Sequence, residues 1–168
     1  MRFQHRNQVL RAFFGGKNWD ENAEFRLKRE LVMNTPPALA EYPFLIEDEW
    51  EVQPGHTNHG RGDLVFFDGH RRYAVVEVKH FDPADSGRGA GKKRRSKRAL
   101  VEDQAWRYAS AYCGRLIEVR YAVVAAFSAT PSGITLHAVF DVWSGRATRR
   151  TGVADGPSGL GAPLRVAG

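Results

Sequence analysis

Asp63, Glu77 and Lys79 are the residues of this chain best suited to act together: two carboxylates and an ammonium, placed where one divalent cation and one phosphate could sit among them. Asp63 opens an apolar stretch, Gly62-Asp63-Leu64-Val65-Phe66-Phe67, and Glu77-Val78-Lys79 closes the next, which begins at Tyr73. Both stretches read as β-strands. Side chains alternate across a strand, so Glu77 and Lys79 share a face. Apolar strands that end in charge need a reason, because an unpaired buried charge costs several kcal/mol. A salt bridge from Lys79 to either carboxylate would be a purely structural one. A shared cation is the functional one, and magnesium suits it, being hard, oxygen-seeking and commonly held by one or two carboxylates with water and substrate phosphate. An acidic residue two before a lysine is cheap by itself, so the weight falls on where the strands put these groups.

The turn between the strands, marked by Asp68-Gly69, constrains any shared site. Residues directly opposite in an antiparallel pair share a face. A loop of two or four residues would pair position 63 with an even-numbered partner and turn Asp63 away from Glu77. Only an odd loop, such as Gly69-His70-Arg71, or a bulge sets the two carboxylates opposite each other.

Around this pair, residues 19–33 read as a helix with Trp19, Ala23, Leu27 and Leu31 as its apolar stripe. Asn18 can cap it, with Glu21 completing a capping box, and Asn34-Thr35-Pro36-Pro37 stops it. Residues 46–53 read as a strand with Trp50 and Val52 inward and Glu47, Glu49 and Glu51 outward as a solvated acidic row. Residues 81–96 read as a Gly- and Arg-rich loop, 97–113 as a second helix, and 118–127 and 134–142 as two more strands joined at Thr130-Pro131-Ser132-Gly133. On the second helix Gln104 and Tyr108 stand four apart on one face, with Lys97 on the same stripe. One domain is expected over 1–143, followed by a flexible Gly-, Pro- and Arg-containing tail over 144–168.

At 168 residues the chain can build a real core without disulfide staples. Cys113 is the only cysteine, which excludes an internal disulfide and a cysteine zinc cluster. His56 and His59 lack a third partner at zinc spacing. The stretch from Ser86 to Lys93 lacks the first glycine and the final Ser or Thr of a phosphate-binding loop. No apolar run approaches membrane-spanning length. Residues 1–18 are basic and free of acids but lack the apolar core of a secretion signal. The expected setting is intracellular, cytoplasmic or nuclear, with organelle import left open by that basic start. The net charge of +6 is concentrated: Arg88, Lys92, Lys93, Arg94, Arg95, Lys97 and Arg98 supply seven positive charges within eleven residues, leaving −1 for the remainder. A near-neutral protein with one basic segment points to a polyanion, nucleic acid above all. A solvated loop or a nuclear-import signal would have the same composition.

Taken in order, Glu24 on an opening helix, Asp63 on a strand, Glu77-Val78-Lys79 on the next and Gln104-Ala105-Trp106-Arg107-Tyr108 on a later helix resemble the PD-(D/E)XK nuclease superfamily. The likeness is closest to branches with a Gln-x-x-x-Tyr helix, such as recombination exonucleases. Glu24-x-x-Leu27-x-x-x-Leu31 is also similar to the first helix of archaeal Holliday-junction resolvases. Gly62 stands where the motif's proline would be. The resemblance covers residues 18–142 and implies an α/β restriction-endonuclease-like core, a mixed central sheet flanked by helices in the order αβββαβ. It implies a nuclease hydrolysing DNA, with Asp63, Glu77 and the Val78 carbonyl holding Mg2+ or Mn2+ and Lys79 orienting the attacking water or stabilising the phosphate's added charge. Glu24 would serve a second ion or a nearby water, with Glu30 as its competitor nearer the middle of the stripe. Gln104 and Tyr108 would brace the site or touch phosphate, and the basic segment would grip the neighbouring backbone. A homodimer is compatible with the family, though the sequence marks no dimer surface. Two other readings compete: a nucleic-acid-binding module of this fold without turnover, and an unrelated basic RNA-associated protein.

Overall fold

The computed structural model of the chain describes residues 3–16, 22–52, 55, 60–80 and 90–149, the side chains of 90–95, 97, 98 and 149 excepted. The elements in chain order are α1 (Phe3–Gly16), α2 (Ala23–Met33), a short 3-10 turn (Pro37–Leu39), β1 (Phe44–Glu51), β2 (Arg61–Phe67), β3 (Arg72–Val78), α3 (Ala90–Arg115), β4 (Val123–Thr130), β5 (Gly133–Asp141) and β6 (Arg146–Arg149). The six strands form one sheet in sequence order, antiparallel throughout except for the parallel pair β3–β4. A parallel pair cannot be closed by a tight turn, and α3 makes the crossover.

Helices cover both faces of the sheet, which is why its central strands are apolar almost without interruption. Leu31 and Val32 of α2 and Phe14 of α1 pack on Leu64, Phe66, Val76 and Phe127. On the other face Tyr108, Ala109 and Tyr112 of α3 cover Val65, Val75, Val124 and Ala126. The architecture is therefore α/β, a mixed six-stranded sheet flanked by helices. No helix among the described residues is long and apolar enough to cross a membrane.

Several boundaries depart from the sequence reading. The first helix is α1, which the order αβββαβ omits. It is tied into the core, where Asn7 Oδ1 accepts the Leu45 N–H at 2.9 Å and the Arg11 guanidinium donates to the carbonyls of Val32 and Pro43. The helix expected from residue 19 begins at Ala23, capped by Asn22, whose Oδ1 accepts from the N–H groups of Glu24 and Phe25. Asn18, Trp19 and Glu21 lie outside the described residues. α3 starts at Ala90, so Lys92, Lys93, Arg94 and Arg95 sit on a helix and not in a loop, joined to Lys97 and Arg98 of the helix expected from residue 97. Lys and Arg are strong helix formers, and Gly91 falls in the first turn, where its N–H has no intrahelical partner to lose.

β4 begins at Val123, five residues later than expected, after a turn in which Tyr121 takes a φ of 60°. Residues 146–149 do not belong to a loose tail. They pair with β5, so the ordered sheet continues past residue 144. Residues 150–168 lie outside the described set.

Candidate metal and phosphate site

The β2–β3 hairpin has the odd loop that a shared site requires. Its register pairs Leu64 with Val76, Val65 with Val75, Phe66 with Ala74 and Phe67 with Tyr73. The Asp68 N–H donates to the Arg72 carbonyl at 3.0 Å, closing a loop of Gly69-His70-Arg71. Asp68 Oδ1 holds that loop by accepting the N–H groups of His70, Arg71 and Arg72, while Gly69 takes a φ of 93° that a residue with a Cβ would resist. Carried one step beyond Leu64 and Val76, the register sets Asp63 opposite Glu77.

At that point the two strands part. By register Val78 would exchange backbone bonds with Gly62, yet its N–H donates to Asp63 Oδ2 at 2.7 Å. Gly62 is pressed instead against the Trp50 indole, where a Cβ would lie only 2.3 Å from the ring. The Asp63 carboxylate thus fills the split between β2 and β3. In an extended strand the N–H and C=O of one residue leave by the same edge, so the Val78 carbonyl also faces the Asp63 side.

Two buried carboxyl groups meet there. Glu77 is 2% exposed. Its Oε1 lies 3.5 Å from Lys79 Nζ, and its buried Oε2 has no hydrogen-bond partner among the described residues. Lys79 Nζ also reaches Glu24 Oε1 at 3.3 Å. Burial pushes the Glu77 carboxyl up to about 8, with Asp63 and Glu24 adding to the rise and Lys79 opposing it. Burial raises Asp63 too, against the pull of Lys28 and the Val78 N–H. For Lys79, burial favours the neutral amine, but Glu77, Glu24 and Asp63 together hold its pKa above the ordinary lysine value.

The second oxygen of Asp63 meets Lys28, a lysine only 1% exposed, at 3.2 Å. Lys28 Nζ also donates to Glu49 Oε1 and lies 3.1 Å from Asp48 Oδ1, though without hydrogen-bond alignment to that oxygen. A bulge between Leu45 and Glu47 and a φ of 50° at Glu49 bend β1 so that these acids come together. The acidic row of β1 is therefore not simply solvated. Glu49 turns to Lys28, and Glu47 accepts from the Tyr112 hydroxyl at 2.8 Å and from Arg115 at 3.0 Å. Across the whole cluster, five carboxylates (Glu24, Asp48, Glu49, Asp63 and Glu77) face two ammonium groups.

Of the residues singled out in the sequence, Asp63, Glu77, Val78, Lys79 and Glu24 are brought together. Glu30 is exposed and lines a neighbouring groove of about 690 Å³, which starts one residue beyond each member of the Glu24–Lys79 pair, at Ala23 and His80. Gln104 and Tyr108 share a face as expected, Gln104 Nε2 lying 3.4 Å from the Tyr108 hydroxyl. Tyr108 packs edge-on against Trp50, and its hydroxyl fills the space where a Cβ on Gly60 would lie, 2.8 Å away. The pair thus supports the strand end that carries Asp63. Arg88, His56 and His59 lie outside the described residues.

Sequence reasoning missed Lys28, Asp48 and one further polar pair. Ser128, the register partner of Glu77 on β4, meets His137 Nε2 at 2.8 Å and extends the polar row to β5. A lysine four after Glu24, wedged between Leu27 and Leu31 of an apolar stripe, was the available signal for Lys28.

Among the described residues no three His, Cys, Asp or Glu side chains converge closely enough to form a metal cluster by themselves. Comparison of the chain with models of known families, with characterised proteins and with solved structures finds no match.

Proposed function

We propose that this chain is a metal-dependent deoxyribonuclease of the PD-(D/E)XK kind, hydrolysing DNA phosphodiester bonds with Mg2+ or Mn2+. The observation that carries the reading is Glu77 Oε2, a buried carboxyl oxygen with no hydrogen-bond partner among the described residues, beside a second carboxylate and a lysine. Native proteins seldom leave such an atom bare without a use for it. The donors fit a hard cation: two carboxylates and the Val78 carbonyl are all oxygen, and Mg2+ ordinarily completes its shell with water and substrate phosphate. The excess of carboxylates over ammonium groups gives a cation a further reason to bind.

Bound there, the ion would supply positive charge to the scissile phosphate and make an attacking water more acidic. The protein's own groups would do the rest. Asp63 is oriented by the Val78 N–H and Glu77 by the strand opposite. Lys79, kept charged by its three carboxylate neighbours, would donate to a phosphate oxygen and stabilise the negative charge that builds up on it. Glu24 holds the Lys79 ammonium toward Glu77 and would orient a water molecule.

The test is incubation with supercoiled, linear and branched DNA in Mg2+, Mn2+ or EDTA. Cutting is expected with either metal and not in EDTA. Binding without cutting under every metal would favour the module without turnover. Preference for RNA, unaffected by Asp63→Ala or Glu77→Ala, would favour the RNA-associated protein.

The basic residues at the start of α3 would contact the phosphate backbone, giving affinity without sequence preference. Replacing Lys92, Lys93, Arg94 and Arg95 with glutamine is expected to weaken DNA binding. The salt dependence, log K against log salt, should flatten by about 3 to 4, at roughly 0.9 for each phosphate no longer neutralised. An unchanged slope removes this segment from the interface.

A further inference from the structure

We infer that Lys28 occupies, from within the protein, the place a second cation would take at Asp63, and so limits the site to one divalent ion. This rests on the metal site proposed above and concerns how many ions it holds.

A two-ion centre sets its ions about 3.5–4 Å apart and clamps both sides of the reacting phosphate. A carboxylate shared between them would have to offer an oxygen to each. Asp63 lies opposite Glu77, which makes it the natural bridging group, and both of its oxygens are engaged. Oδ2 accepts the Val78 N–H at 2.7 Å, which leaves that oxygen one lone pair for an ion on the Glu77 side. Oδ1 faces the Lys28 ammonium at 3.2 Å.

That ammonium is not a passing surface charge. An ammonium carries three donors, and here three carboxylates surround it: Asp63, Asp48 at 3.1 Å and Glu49 in a direct hydrogen bond. At 1% exposure it is sealed from water. Asp48, Glu49 and Asp63 each turn an oxygen toward the Lys28 ammonium, which is the cation they meet here. With Lys28 in place Asp63 Oδ1 already faces a cation, while Glu77 Oε2 has no hydrogen-bond partner among the described residues.

Titration with Mn2+ in the absence of DNA, followed by calorimetry and by the loss of the free-ion spin-resonance signal, tests this without reference to cleavage. Wild type is expected to bind one equivalent and Lys28→Gln two. Two equivalents on wild type, or one on folded Lys28→Gln, overturns the inference and leaves the metal site standing. No binding on wild type removes the metal site and this inference together. Should Lys28→Gln not fold, the paired variant Lys28→Gln/Glu49→Gln removes one charge of each sign and still leaves Asp48 and Asp63 for a second ion. It is expected to bind two equivalents, and one would overturn the inference.

Discussion

Replacing Lys79 with alanine is expected to lower metal-dependent DNA cleavage by about 100- to 1,000-fold, the usual effect of removing one donor aimed at developing charge. Binding of DNA should survive, because affinity for the backbone is spread over several cations elsewhere. The same substitution also breaks two ion pairs, to Glu24 and Glu77, so lost activity alone could reflect a disturbed site. Lys79→Arg separates the two causes. Arginine keeps the positive charge that Glu77 and Glu24 require, and the melting temperature should return to near that of wild type. It presents a flat, bulky fork where the site holds a compact point charge, and cleavage should stay depressed. Recovery of cleavage in step with stability would mean that Lys79 only neutralises its neighbours, and the proposed chemistry would lose its electrophile.

The parts of this arrangement legible in the sequence are those governed by local rules. Strand alternation places Glu77 and Lys79 on one face, and loop parity ties the Asp63–Glu77 pairing to an odd turn; the register of β2 and β3 has that turn. Neither rule depends on the rest of the fold. Lys28 is the opposite case. Its partners come from β1 and from the start of β2, and they converge only because β1 bulges near Glu47 and Glu49 takes a positive φ. A lone lysine on a helix ordinarily reads as part of a solvated face, and nothing local says that three carboxylates will surround it.

Helix α1 shows the same divide. Phe3, Leu10 and Phe14 recur at helical spacing, but Arg6 and Arg11 among them make the segment a basic, acid-free start that by itself leaves organelle import open. What decides is long-range: Asn7 meets Leu45, and Arg11 meets Val32, Thr35 and Pro43. The start of α3 was obscured by charge. A run of like charges is ordinarily taken for a loop or tail, whereas helix propensity of Lys and Arg continues the helix from Ala90.

Glu77→Gln is expected to stabilise the metal-free protein at alkaline pH while abolishing its response to metal. Burial, with Asp63 and Glu24 nearby, pushes the Glu77 carboxyl up to about 8, whereas in the unfolded chain it titrates near its ordinary value of 4.5. Between those values the folded protein keeps a proton that the unfolded chain has released. Stability must then fall as pH rises from 4.5 through 8, by an amount on the order of 5 kcal/mol once Glu77 is fully ionised. Glutamine has no charge to bury, so the variant should match wild type near pH 5 in EDTA and melt about 10 °C higher near pH 9. A divalent ion narrows the gap. It stabilises wild type by about 2.7 kcal/mol at a hundredfold excess over its dissociation constant. The variant, lacking the charged oxygen that would hold the ion, should gain almost nothing. A wild type that melts identically at pH 5 and pH 9 in EDTA, and no higher when Mg2+ replaces the EDTA, would mean that Glu77 pays no penalty for its ionised form. The bare carboxylate oxygen on which the enzyme reading rests would then have some other partner.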